Sequence, residues 1–205
     1  MTDRPSRAFR AAQTSRARIA SAAARLMAED GVTDIGRAKE KAARQLGLPA
    51  SASLPDNAEV ETELRLYQTL HQGDTQPEIL RRLRREAADL MAFLADFRPY
   101  LTGPVLEGTA GAFSAIDLLL FADSAKEVEI FLLDQGLPVT HADPRQGHHW
   151  HNHWLEAILR LATPLAEANL SIFPPHCERH AFKHRDGRLR QRIRLEALEA
   201  LLENA

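Results

Sequence analysis

The sequence predicts an α+β protein, with a helical N-terminal region over residues 1–98 and a mixed sheet flanked by helices over 99–205. Three observations carry this expectation. Apolar residues in the first half recur at three- and four-residue spacing, as on one face of a helix. Past residue 100, Ile116 to Phe121 forms a continuous apolar run of strand length, which fits a strand buried on both faces. Further on, Leu155, Ala157, Leu159 and Leu161 alternate, as do Ala168, Leu170 and Ile172, with Thr163-Pro164 between them.

Each element has a local reason. Ile19, Ala23, Leu26 and Met27 mark a first helix that Gly31 ends. Asp34 is placed to cap a second, whose face carries Ile35, Ala38, Ala42 and Leu46. Leu48 to Pro55, with two prolines and two serines, reads as a loop. Asp56 or Asn57 starts a third helix with Val60, Leu64 and Tyr67 inward. Pro77 opens a fourth, with the stripe Leu80, Leu83, Ala87, Leu90, Met91, Leu94 and Phe97, closed by Pro99. Val105 and Leu106 form a short strand candidate, and Ser124 with Glu127 is a capping-box pattern for a helix ended by Gly136. A final helix is expected from about Leu189, carrying Ile193, Leu198 and Leu201.

Composition sets the limits. The 205 residues are enough to bury a core, and 44% hydrophobic with 26% charged residues is ordinary for a globular protein. A net charge of −2 gives no global reason to expect nucleic acid or an anionic membrane as partner. Cys177 is the lone cysteine, which suits a reducing compartment. No apolar run reaches the roughly 20 residues of a membrane span, and Met1 to Arg18 holds no secretory apolar core. The expectation is a cytoplasmic protein with no membrane partner.

One segment has both the residue types and the spacing for a particular chemistry. It reads Gly103-Pro-Val-Leu-Glu-Gly108-Thr-Ala-Gly-Ala-Phe-Ser114-Ala-Ile-Asp117-Leu. It resembles the signature of the small bacterial nucleotidyltransferases, G-S-x-x-x-G-T-A-x-x-x-S-D-I-D-L. Gly103 takes the place of the first glycine; Gly108, Thr109 and Ala110 fall on G-T-A; Ser114, Ile116, Asp117 and Leu118 also match. The resemblance implies a nucleotidyltransferase-like mixed sheet and a phosphate-binding turn at Gly103, Gly108, Thr109 and Ser114. It also implies that Asp117 acts as catalytic carboxylate and Mg²⁺ ligand. Nucleotidyl transfer builds charge on phosphate oxygens, which two divalent ions can stabilise, and two aspartates one residue apart on a strand point to one face.

This chain departs from that pattern. Ala115 stands where the first aspartate is expected, and Pro104 removes both a hydroxyl and a backbone donor. The family's third carboxylate comes from a later strand, where this chain offers Leu170, Ser171 and Ile172, with Glu156 and Glu167 as nearby substitutes. The functional expectation is therefore a nucleotidyltransferase-like protein impaired in catalysis that retains nucleotide or phosphate binding.

Other features support other readings. Eight of the nine histidines lie after residue 140; His149, His151 and His153 share one side if extended, and could hold Zn²⁺ or Ni²⁺. His176, His180 and His184 fall at helical spacing, with Cys177 beside the first. Arg81, Arg82, Arg84 and Arg85 lie on the polar face of the fourth helix, and Arg179 to Arg194 holds seven Lys or Arg. Such stripes could meet phosphates, yet without interleaved aromatics nucleic acid is not the favoured partner. The run from Ile19 to Gly31 resembles the first helix of TetR-type repressors, which makes a helical DNA-binding regulator one alternative. The Leu48–Pro55 loop is too long for the helix-turn-helix such a regulator needs. The other alternative is an interaction or scaffold protein with a His-rich metal-binding loop, or one that self-associates through its N-terminal helices.

Overall fold

Capping chemistry and apolar periodicity settle most of the element boundaries. The computed structural model describes residues 7–49, 52–142, 154–183 and 187–204. His149, His151, His153 and His184 lie outside the described residues. The chain divides into two compact units, Met1–Asp74 and Thr75–Ala205.

The first unit contains α1 (Arg7–Glu29), α2 (Ile35–Gln45) and α3 (Asn57–His71). Asp34 caps α2, accepting from Arg37 N, and Asp56 forms a reciprocal capping box with Glu59 at the start of α3. The core is small-residue-rich: Ile19, Ala20, Ala23, Leu26, Ala38, Ala42 and Val60 are buried together. Arg16 reaches Glu59 at 2.5 Å and ties α1 to α3.

The second unit runs α4 (Gln76–Phe93), β1 (Tyr100–Thr102), α5 (Gly103–Glu107), β2 (Ile116–Phe121), α6 (Ala125–Asp134), β3 (Val139–Ala142), β4 (Ala157–Ala162), β5 (Glu167–Phe173) and α7 (Leu195–Glu203). Short 3₁₀ turns follow α4 at Ala95–Phe97 and β5 at Pro175–Arg179. The described strands form one five-stranded sheet in the order β1-β2-β5-β4-β3. The β2–β5 pair is parallel and the other pairs are antiparallel, so the sheet is mixed. The fold class is α+β, with helices flanking the sheet.

The two faces of this sheet differ. One presents Leu101, Ile116, Leu118, Leu120, Leu159, Leu170 and Ile172 to a core completed by α4, α6 and α7. The other carries Leu119, Phe121 and Phe173 against Cys177 and Phe182, with Tyr100 and Trp154 at its border. Phe121 and Phe173 are 1% and 0% exposed, so β2 and β5 are buried on both faces at this end, as their uninterrupted apolar runs require.

Several expectations need correction. The unit boundary falls between residues 74 and 75, not near 98, because Leu83, Ala87, Leu90, Met91 and Leu94 of α4 share the core of the sheet. Val105 and Leu106 lie in α5 rather than a strand. Pro104 suits the first turn of a helix, and Gly108 closes it in the left-handed conformation at φ 84°. The last helix begins at Leu195, not Leu189. The preceding segment runs extended along the free edge of β1, where Leu101 and Ile193 exchange both backbone hydrogen bonds at 2.9 and 3.0 Å. β3 was not expected from the sequence. His176 falls in a 3₁₀ turn that ends before His180, so the two do not share an α-helical face.

Candidate functional site

The candidate site is built by strand register. Thr102 of β1 stands opposite Asp117 of β2, and Asp117 opposite Asn169 of β5. Asn169 stands opposite Arg160 of β4, which in turn stands opposite Thr140 of β3. Directly opposed residues share a sheet face, so Thr102, Asp117, Asn169, Arg160 and Thr140 form one polar row across the sheet. Strand alternation puts the row on the face of Leu119, Phe121 and Phe173, beyond the end of that aromatic cluster.

Asn169 and Gly103 both approach the Asp117 carboxylate. Asn169 Nδ2 donates to Asp117 Oδ1 at 2.9 Å. Gly103 packs against the same carboxylate: a Cβ built on it would lie 2.5 Å from Asp117 Oδ2. Gly103 also has φ 71°, which side-chain-bearing residues rarely adopt, so both space and backbone demand glycine. The other end of the amide, Asn169 Oδ1, is buried and meets no hydrogen-bond donor among the described residues. Asn169 as a whole is 5% exposed.

The extended segment before α7 supplies the positive charge. Thr102 Oγ1 donates to Gln191 O at 2.7 Å, and Arg190 N donates to Phe182 O at 2.8 Å. Arg192 lies over the Tyr100 ring at 4.6 Å and the Phe182 ring at 5.2 Å. In an extended chain, residues two apart face the same way. Arg190 is thereby directed toward the Thr102–Asp117 end of the row. Burial pulls its guanidinium below the usual arginine range, and the charges of Asp117 and Glu107 act in the opposite sense. Glu178 anchors the far end of the segment, accepting from Tyr100 Oη at 2.9 Å and Arg194 Nη2 at 2.7 Å, and pairing with Arg98 at 3.1 Å.

The turn between α5 and β2 is tied down internally. Gly108, Thr109 and Ala110 all donate their backbone N–H to Pro104 O, at 3.0, 3.0 and 3.1 Å. Gly111 N donates to Ser114 Oγ at 3.0 Å. Gln76 Nε2 donates to Gly108 O and Ala110 O, and Arg84 donates to Val105 O and Leu106 O at the end of α5. The Gly108 and Thr109 amides and the Ser114 hydroxyl thus hold the turn's own shape.

Of the residues expected at the site, the structure brings together Gly103 and Asp117. Gly108, Thr109 and Ser114 shape the adjoining turn. The partner on the later strand is Asn169 rather than Leu170, Ser171 or Ile172, of which Leu170 and Ile172 face the helical core. Glu156 is committed elsewhere, accepting from Ala125 N at 3.0 Å. Glu167 lies 3.6 Å from Arg160 Nε. Among the described residues no three His, Cys, Asp or Glu side chains converge on a point where an ion could sit. Mg²⁺ seeks several oxygen ligands. Asn169, directly opposite Asp117, offers it an amide donor rather than a second carboxylate, so this pair does not supply the shared acidic ligands that two ions need.

Asn169 has no place in the sequence reading and Arg190 stands there only within the basic stretch Arg179 to Arg194, yet both left a sharper signal. In Ala168-Asn-Leu-Ser-Ile172 the polar residues recur at period two inside a buried strand. In Arg188-Leu-Arg-Gln-Arg-Ile-Arg194 the arginines alternate as in an extended chain. No protein-family model matches the chain, and no curated protein matches it either. No described helix is long and apolar enough to cross a membrane.

Proposed function

We propose that residues 75–204 are a nucleotidyltransferase-like domain, impaired in two-metal transfer, that holds a nucleotide by its phosphates on the polar row of the sheet. The observation that carries this reading is the contact between Gly103 and Asp117. Gly103 begins the motif and Asp117 is its retained aspartate, and the β1–α5–β2 path returns one onto the other. Arg190 and Arg160 offer charge for phosphate oxygens. The protein is read as cytoplasmic.

Calorimetric titration of the full chain with ATP, GTP, CTP and UTP in the presence of Mg²⁺ tests the proposal. Saturable binding of at least one nucleotide is expected, without nucleotidyl transfer to protein or small-molecule acceptors. Silence with all four removes nucleotide binding and leaves a scaffold.

Self-association through the first unit is a second part of the reading. Leu66 and Leu70, one turn apart on α3, are 52% and 68% exposed. Light scattering on a sizing column distinguishes a dimer from a monomer.

A further inference from the structure

We propose that Arg190 takes the place of a divalent ion beside Asp117, so that this face binds nucleotide phosphate without metal. The inference rests on the nucleotide-binding reading of the same face and names the source of its positive charge.

Three independent pieces of geometry converge. First, the backbone pairing of Leu101 with Ile193 and the bond from Thr102 Oγ1 to Gln191 O fix the Arg190 segment against the strand opposite Asp117. Second, the strand that would carry a further acidic ligand presents Asn169, whose Nδ2 already occupies Asp117 Oδ1. An amide turned this way donates to the carboxylate instead of sharing an ion with it. Third, Asn169 is buried and its Oδ1 meets no donor among the described residues, so the bond from Nδ2 to Asp117 is the side-chain hydrogen bond that orients the amide. A cation entering between Asp117 and Asn169 would have to displace the Nδ2 bond and sit near a guanidinium of like charge. A phosphate entering beside Arg190 meets a partner of opposite charge.

Asp117 then acts as the counter-ion that orients Arg190, a positioning role rather than metal ligation. That distinction gives Asp117→Asn opposite signs under the two accounts. If Asp117 ligates an ion, the substitution abolishes nucleotide binding. If it only balances Arg190, an anion binds as well or better without it.

The test measures nucleotide affinity of the full chain in Mg²⁺ and in EDTA, and Mn²⁺ affinity alone by electron paramagnetic resonance. The variants are Arg190→Gln, Arg190→Lys and Asp117→Asn. Expected are equal affinities in Mg²⁺ and EDTA, about a tenfold loss in Arg190→Gln, and recovery of most of it in Arg190→Lys, from one charge-assisted contact. Asp117→Asn retains binding, and the wild type takes up no Mn²⁺. Loss of nucleotide binding in EDTA overturns the inference, as does Mn²⁺ bound by the wild type and released in Asp117→Asn. Binding in Mg²⁺ that is lost in EDTA overturns the inference and leaves the functional reading standing, whereas no nucleotide binding under any condition overturns both.

Discussion

Asp117 and Asn169 stand directly opposite each other on the parallel strands β2 and β5, and the Asn169 amide donates to the Asp117 carboxylate at 2.9 Å. A carboxylate at the Asn169 position would face Asp117 as a like charge, whereas the amide satisfies it. The Asp117 carboxylate thus receives a hydrogen bond from the neighbouring strand.

Replacing Asn169 with Asp reverses this. Like charges directly opposite on neighbouring strands repel, and the donor to Asp117 is lost. Asn169→Asp is expected to destabilise the protein at neutral pH by about 1–3 kcal/mol. The loss should shrink in acid, where one of the two carboxyls takes up a proton. Urea denaturation of both proteins at neutral and acidic pH checks this; an equal loss at both rules out the like-charge cause.

Gly103→Ala places a methyl group 2.5 Å from Asp117 Oδ2 at a residue with φ 71°. The expected cost is about 1–3 kcal/mol, from strain and the displaced carboxylate. Gly111→Ala is the internal comparison, because a Cβ there meets nothing within 4 Å. Its melting temperature should stay near the wild-type value, and equal effects in the two variants would contradict the packing described.

Glu178 makes a separate prediction about acid stability. Burial raises its proton affinity, but the Tyr100 hydroxyl and the Arg98 and Arg194 guanidinium groups outweigh this and hold its carboxyl below the usual range. A depressed folded-state pKa contributes stability that is fully present above the unfolded value, about 4.3. That contribution is lost as the pH falls through the folded value. Glu178→Gln should cost about 1.5–3 kcal/mol at neutral pH, as for a hydrogen bond to a charged group. The difference between variant and wild type should close in acid; a constant difference across pH contradicts the sign.

Cys177 is a probe of the aromatic face. Burial, and then the Glu156 charge, push its thiol above the ordinary range, and the side chain is 0% exposed. Labelling by a disulfide reagent should be slow in the native protein and become stoichiometric on unfolding. Rapid stoichiometric labelling under native conditions would show that Phe121, Phe173 and Phe182 do not cover it.

Much of the architecture was legible where one local signal had no competitor. Asp34, Asp56 and Ser124 cap helices because their short side chains reach the third backbone N–H onward, a purely local matter. The β4–β5 pair follows from alternation broken by Thr163-Pro164. The segment before α7 was not legible in the same way, since Leu189 and Ile193 also fit a helical face. Pairing with the open edge of β1 decides in favour of the extended form, and that edge is a tertiary fact. At the candidate site, the resemblance to the nucleotidyltransferase signature pointed to Gly103 and Asp117 because both lie in one contiguous segment. Asn169 meets Asp117 only through the β2–β5 register, and the Arg190 segment is set on the same side only by docking along β1, which no local spacing encodes.

The most direct measurement is an amide-correlation NMR titration of the full chain with each nucleoside triphosphate, following the Asn169 side-chain NH₂ and the backbone of Gly103, Asp117 and Arg190. Concerted, saturable shifts of these signals are the predicted result. No shift with any nucleotide, or shifts confined to residues away from the Thr102–Asp117–Asn169–Arg160 row, would contradict the assignment of this face as the nucleotide site.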